Sequence, residues 1–168
     1  ALLAYDKDMA ATGIYDNRQV PVPGRAGEME AYGCLEHSAR RVSQPLRTYL
    51  RDIEPIIALK PDALIMADAG LIMQVREKWP EVPIHLSVQA NTTNYATVKF
   101  WQKLGVARII LSRELSLDEI EKIRQECPDI ELEVFVHGAL CIAYSGRCLL
   151  SGYITHRDSN QGACTNTC

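Results

Sequence analysis

No apolar run in this chain of 168 residues reaches the ~18 residues that a membrane-spanning helix needs. The opening stretch, ALLAYDKDMAATG, has no basic region ahead of an apolar one. No secretory leader is read there, and the expected compartment is the cytoplasm. Neither sign of charge is in excess: 18 Lys+Arg against 21 Asp+Glu give a net charge of −3. The chain as a whole therefore offers no strong attraction to nucleic acid or membrane, and only a local basic patch is left open. Three chemical motifs are missing as well. No GxGxxG loop follows a strand-like run, which weighs against dinucleotide binding. No HExxH helix and no GxSxG elbow is present, which weighs against zinc-peptidase and serine-hydrolase chemistry.

What is present begins at residue 46. A content of 47% hydrophobic and 23% charged residues fits one soluble globular domain or part of a larger one. Leu46, Tyr49, Leu50, Ile53, Ile56 and Ile57 recur at helical spacing, with Pro55 expected to kink or split that helix. Four short apolar runs follow, 63–67, 84–88, 107–111 and 132–136, with helix candidates between them at 71–79, 94–104 and 116–126. Ser116 with Glu119 reads as a capping box, and Gly105 stands where the second of these helices should stop. Strand and helix alternating at this spacing give parallel strands with right-handed crossovers. The expected fold class is α/β, either a doubly wound sheet or part of a (β/α)8 TIM-barrel-like domain. Residues 1–45 lack periodicity, 46–140 form the βα repeat, and 141–168 form a Cys-rich loop region. The chain ends there on Cys168 without a closing element, so a fragment is expected.

In parallel βα folds, functional residues gather just after the strands. Asp68 follows the first run, Gln89 and Asn91 the second, Arg113 and Glu114 the third, and His137 the fourth. Together they offer a cation, carboxylates, amides and an imidazole, a set suited to a small polar or anionic ligand. The plainer alternative is that Asp68 and Asn91 cap helices. His85, inside a strand, reads as a satisfied core residue, and Trp79 and Trp101 as packing residues.

Four of the six cysteines fall in the last 28 residues. Cys141, Cys148, Cys164 and Cys168 are separated by six, fifteen and three residues. Zinc knuckles space their cysteines by two to four, and only the last pair does so. Four thiolates on loops also suit an iron–sulfur cluster. A catalytic Cys141 with His137 as base is a third possibility, and plain reduced thiols a fourth. Cys34 and Cys127 read as plain thiols.

The run Glu133-x-Phe135-x2-Gly138-Ala139-Leu140-Cys141-x4-Gly146-x-Cys148-x-Leu150-Ser151 resembles the signature of the bacterial collagenase-like peptidase family, with every fixed position filled. RDIEPIIALKPDALIMADAGLIM, PIHLSVQAN and SRELSLDEIE are similar to the branch of that family that hydroxylates tRNA. The likeness covers about residues 46–168, whereas 1–45 do not resemble the family's start. The resemblance implies a (β/α)8-like barrel and a [4Fe–4S] cluster on Cys141, Cys148 and Cys164. Cys168, or a cysteine further on, would be the fourth ligand. It also implies tRNA as partner, hydroxylated at C5 of the wobble uridine as the first step toward uridine 5-oxyacetic acid, with prephenate as the hydroxyl source.

On that reading His137, Arg113, Glu114 and Asp68 are the catalytic candidates. Gln89, Asn91 and Arg113 would bind substrate, Arg113 by pairing with a carboxylate of the hydroxyl donor. The alternatives are a collagenase-like peptidase, a zinc site in place of the cluster, or a non-catalytic accessory chain or inactive fragment.

Overall fold

The computed structural model describes residues 45–138, 140–156, 159, 164 and 168. The expected N-terminal segment up to residue 44, with Cys34, lies outside the described residues, as does Ala139 of the signature. Helix α1 (Pro45–Ala58) starts on a proline, whose fixed φ and missing N–H suit the first helical position. Of the two expected effects of Pro55, a kink or a split, the split does not occur, and the helix runs through the proline. Pro55 and Arg51 both lie on the exposed side, so the Arg51 carbonyl that loses its N–H partner faces solvent. Tyr49 and Ile53, fully buried on the opposite side, anchor the helix across the proline.

The strands are β1 (Leu64–Met66), β2 (Ile84–Leu86), β3 (Arg108–Ile110) and β4 (Glu131–Glu133). Between them lie α2 (Ala69–Lys78), α3 (Tyr95–Lys103) and α4 (Leu117–Glu126), and α5 (Leu150–Thr155) follows β4. The helix boundaries fall where turn chemistry sets them. Ser116 accepts from the Glu119 N–H while the Glu119 carboxylate accepts from the Ser116 N–H, closing the expected capping box. These bonds hold the Glu119 carboxyl below its ordinary range. Gly105, at φ 78°, ends α3 in the left-handed conformation expected of it.

All four strands are parallel and stand in the order β1-β2-β3-β4. One face of this sheet carries Leu64, Met66, Ile84, Leu86 and Ile109, each almost wholly buried. These residues form a single core with Tyr49 and Ile53 of α1, Leu71, Ile72 and Val75 of α2, Val98 and Trp101 of α3, and Ile123 of α4. Full burial of such side chains contributes roughly 1.5–3 kcal/mol each, which makes this layer the main source of stability. Helices α1 to α4 thus cover the same face, and the order of the four strands never reverses. The strand-order reversal and two-sided helix cover of a complete doubly wound sheet are not seen among the described strands and helices. Trp101 packs in the core as expected, and Trp79 packs against it beneath the Lys78 ammonium.

The fourth strand differs from the expected 132–136. Its last ladder bond runs from the Leu111 N–H to the Glu133 carbonyl. Beyond it β3 has ended, so 134–136 lack a neighbour to pair with among the described residues, however strand-like their composition. No described helix is long and apolar enough to cross a membrane.

The other face of the sheet is partly polar. The strand register sets Ile65, His85, Arg108 and Glu131 in one row, with Ile110 beside Glu133 in the next. His85 is only half-buried. The buried Arg108 guanidinium holds one Glu131 carboxylate oxygen through Nε at 2.8 Å and Nη2 at 2.7 Å. It also reaches the buried Glu133 at 3.5 Å. Burial pushes the Glu133 carboxyl above its ordinary value of 4.5, against the pull of Arg108.

A group whose pKa is raised on folding favours the fold below its ordinary pKa and ceases to do so as pH rises through the folded value. The stability of the wild-type chain relative to Glu133→Gln, measured by urea unfolding, should therefore fall as pH is raised from 4.5. A difference independent of pH would show that Glu133 folds without a desolvation cost.

Candidate functional site

The polar residues expected at the strand ends are brought together chiefly by one loop, 140–148. Arg113 leaves the end of β3 behind the buried Leu111 and Ser112. Its Nη1 donates to the Cys141 carbonyl at 2.7 Å, and its Nη2 to the Ala143 carbonyl at 2.8 Å and the Ser145 hydroxyl at 3.3 Å. A guanidinium presents several donors in a rigid plane, and here that plane spans alternate residues of the loop. The intervening Ile142 and Tyr144 are left exposed.

Glu114, the next residue, accepts the Ser145 N–H at 2.7 Å. Desolvation acts to raise the Glu114 carboxyl. The hydrogen bonds from Ser145 and from its own N–H, with the nearby Arg113 charge, outweigh it, and the carboxyl sits below its ordinary value.

Two further contacts come from the end of β2. Asn91 adopts the left-handed conformation at φ 53°, which asparagine tolerates better than most residues. Its amide donates to the Ser145 carbonyl at 3.4 Å and accepts from the Tyr144 hydroxyl at 3.2 Å. Gln89 contributes its backbone, not its side chain. Gly146, at φ 73°, lies so close to the Gln89 carbonyl that a Cβ there would collide with it. Ser145, wholly buried, is thus held by Arg113, Glu114 and Asn91 together. The turn closes with the Arg147 N–H on the Tyr144 carbonyl at 2.9 Å.

Near these strand ends three buried polar atoms have no hydrogen-bond partner among the described residues: Arg113 Nε, Ser112 Oγ and Thr92 Oγ1. The Ser112 N–H donates to the Thr92 carbonyl at 3.2 Å, which sets those two hydroxyl-bearing residues side by side. Buried polar groups of this kind call for a partner, and a small oxygen-rich molecule has the right chemistry.

Asp68 stands apart. Its carboxylate caps α2 by accepting the Leu71 N–H at 2.9 Å, the plainer of its two sequence readings. His137 is exposed, and no hydrogen bond joins its imidazole to the Cys141 thiol among the described residues. Cys141, Cys164 and Cys168 are exposed and Cys148 is half-buried. Four soft ligands suit an iron–sulfur or zinc centre chemically. Among the described residues, however, no three His, Cys, Asp or Glu side chains converge on one point. The donor set fits such a group in kind. Cys127 is a plain thiol, buried at the end of α4 with its pKa raised by that burial, and it donates to the Tyr95 carbonyl.

Sequence reasoning missed Ser145, Thr92 and Ser112. The Ser145–Gly146 dipeptide is a turn signal, and it was the one local clue to the tight approach at Gln89.

The profile described as Peptidase family U32 matches residues 32–168. Over 123 residues the chain is 69% identical to "tRNA hydroxylation protein P" of Escherichia coli, a match covering 73% of this chain and 27% of that protein. It is 47% identical over 105 residues to "tRNA hydroxylation protein P1" of Bacillus subtilis, covering 62% of this chain and 25% of that protein. It is 40% identical over 107 residues to the "23S rRNA 5-hydroxycytidine C2501 synthase" of E. coli, covering 64% of this chain and 16% of that protein. The chain thus spans about a quarter of the length of the tRNA hydroxylation proteins it matches. No solved structure matches it.

Because its carboxyl is held low, Glu114 should keep its grip on the loop at pH 4.5 and release it only in stronger acid. Hydrogen exchange should therefore show the Ser145 amide protected in the wild type down to that pH and unprotected throughout in Glu114→Ala. Gly146→Ala, which meets backbone at a positive φ, should cost about 1–3 kcal/mol in urea unfolding. Equal stability of the two proteins would place the loop elsewhere.

Proposed function

The chain belongs to peptidase family U32, and from that membership we propose that it is a segment of an RNA hydroxylase acting on tRNA. The observation that carries this reading is the 69% identity to a tRNA hydroxylation protein, supported by the likeness to an rRNA hydroxycytidine synthase across the same kind of segment. We propose further that the four parallel βα units are a sector of a (β/α)8 barrel. One-sided helix cover and an unreversed strand order support this.

The substrate position is C5 of the wobble uridine and the hydroxyl source is prephenate in this proposal. Ser112, Thr92 and Arg113 Nε, buried at the strand ends and without a partner among the described residues, are the groups we assign to hold the small donor. Arg113 is already engaged with the loop through its two terminal nitrogens, so in this assignment only Nε is left for a ligand. Glu114 and Asn91 act by holding the loop in place, and the exposed His137 is left to move a proton at the mouth. Asp68 serves as a helix cap.

Cys141, Cys148, Cys164 and Cys168 are proposed to carry a [4Fe–4S] cluster, with zinc as the alternative metal. When bound, such a cluster supplies one-electron transfer. The cytoplasm is the compartment that goes with tRNA as substrate and with reduced thiols. The peptidase alternative would need a working Cys141–His137 pair, and the two side chains are not hydrogen-bonded to each other.

Chain purified without oxygen should contain about four irons and four acid-labile sulfides, lost in Cys141→Ala or Cys148→Ala. In the E. coli tRNA hydroxylation protein P, replacing the matching 123 residues with those of this chain should preserve hydroxylated uridine in tRNA. The same graft carrying Cys141→Ala should abolish it. Folded protein without iron would overturn the cluster, and a graft that hydroxylates normally without Cys141 would remove the cysteines from the reaction.

A further inference from the structure

The loop that Arg113 holds down turns a second set of side chains outward. Tyr153 in α5 is 86% exposed, Ile142 84% and Tyr144 55%. With Leu149 and Ile154 also exposed, so many open large side chains within one short stretch of chain call for a contact. The charge of this stretch narrows the partner. From Val134 to Arg157 the chain carries no Asp or Glu, where its own average of 21 in 168 would place about three. The arginines and histidines there are His137, Arg147, His156 and Arg157. Among the described residues the Arg147 guanidinium has no carboxylate partner and touches only the Gly146 carbonyl, at 3.3 Å. Arg51, Lys78, Lys99 and Arg108 are each paired with an acid, while Arg76 and Arg124, like Arg147, meet carbonyl oxygens.

We propose that this stretch of chain, through Tyr144, Arg147 and Tyr153, binds unpaired nucleotides of RNA, the tyrosine rings stacking on bases and Arg147 meeting a phosphate. The proposal deepens the RNA-hydroxylase reading and rests on it. Stacking on an aromatic ring is open only to a base outside a helix, because paired bases already cover each other's faces. The Tyr144 ring is prepared for this role, since its hydroxyl is tied to Asn91 and little freedom remains to be lost on binding. Tyr144 and Arg147 are the two ends of one turn, which puts a stacking ring and a phosphate-binding cation within one nucleotide's reach. Tyr144 lies three residues after Cys141, so a base stacked on it would sit beside the cysteine loop. Stacking is also tolerant of sequence, which suits a segment shared by relatives named for tRNA and for rRNA.

The test is fluorescence anisotropy of the full chain with two RNAs, an anticodon stem-loop and a blunt duplex made of the same stem. The stem-loop should bind at least about tenfold more tightly than the duplex. Tyr153→Ala should weaken it about tenfold and Tyr153→Phe should not, because the ring and not the hydroxyl makes the contact. Arg147→Gln should lower the slope of log affinity against log salt by about one.

Unchanged stem-loop binding in Tyr153→Ala and Arg147→Gln would overturn this surface while leaving RNA as the substrate. Loss of self-association in Tyr153→Ala, with RNA affinity unchanged, would overturn it in favour of a second copy of the chain. No binding of either RNA would overturn both the surface and the RNA reading. Tyr153-dependent binding combined with a graft inactive in tRNA hydroxylation would support the surface and sink the reaction.

Discussion

Four hydrogen bonds from two consecutive residues, Arg113 and Glu114, decide where the cysteine loop sits. They reach across about thirty residues of sequence to Cys141, Ala143 and Ser145. The loop has no ladder of its own and sits beyond the end of β4, so its backbone groups must find partners elsewhere or stay in water. The carbonyls of Cys141 and Ala143 take the guanidinium, and the Ser145 N–H takes the carboxylate. With Gly146 pressed against Gln89, the loop is fastened to the ends of both β2 and β3. The outward exposure of Tyr144 and Ile142 follows from that fastening.

The fastening depends in turn on the sheet. Arg113 and Glu114 can act at the end of β3 only because β3 is fixed between β2 and β4 and its apolar side is covered by the helices. The polar face of the sheet has a different logic. Buried Arg108 and Glu133 stand together there, with the exposed Glu131 on the outer side of the guanidinium, and removing one partner of a buried pair leaves an uncompensated charge. Register is strongly specified as a result, since a slip of one residue in β4 would carry both glutamates to the apolar face.

Much of the scaffold was legible in the sequence. Alternation of apolar runs with helical spacing gave four strands and the helices between them, and Ser116–Glu119 and Gly105 marked boundaries within a residue or two. Two local readings differ from the structure in part, for physical reasons that composition does not carry. Val134, Phe135 and Val136 favour a strand but have no neighbour to pair with among the described residues once β3 has ended. Pro55 removes one hydrogen bond, and α1 tolerates the loss because the freed carbonyl faces solvent. The rim residues were legible as a group because they follow strands, but the partners of Arg113 and Glu114 were not. Those contacts join positions far apart in sequence, and a guanidinium suited to a substrate carboxylate is equally suited to backbone carbonyls. The cysteines were legible as a cluster in sequence, whereas their convergence in space is a tertiary property that spacing alone does not fix.

The central claim is that Arg113 and the Gly146 approach are two halves of one attachment. A double-mutant cycle with Arg113→Ala and Gly146→Ala, read by the exchange rate of the Ser145 amide, tests it most directly. If the loop is held as described, either substitution alone frees the amide and the double variant exchanges no faster than the worse single one. Effects that simply add would show two independent contacts, and an amide unaffected by Arg113→Ala would contradict the account.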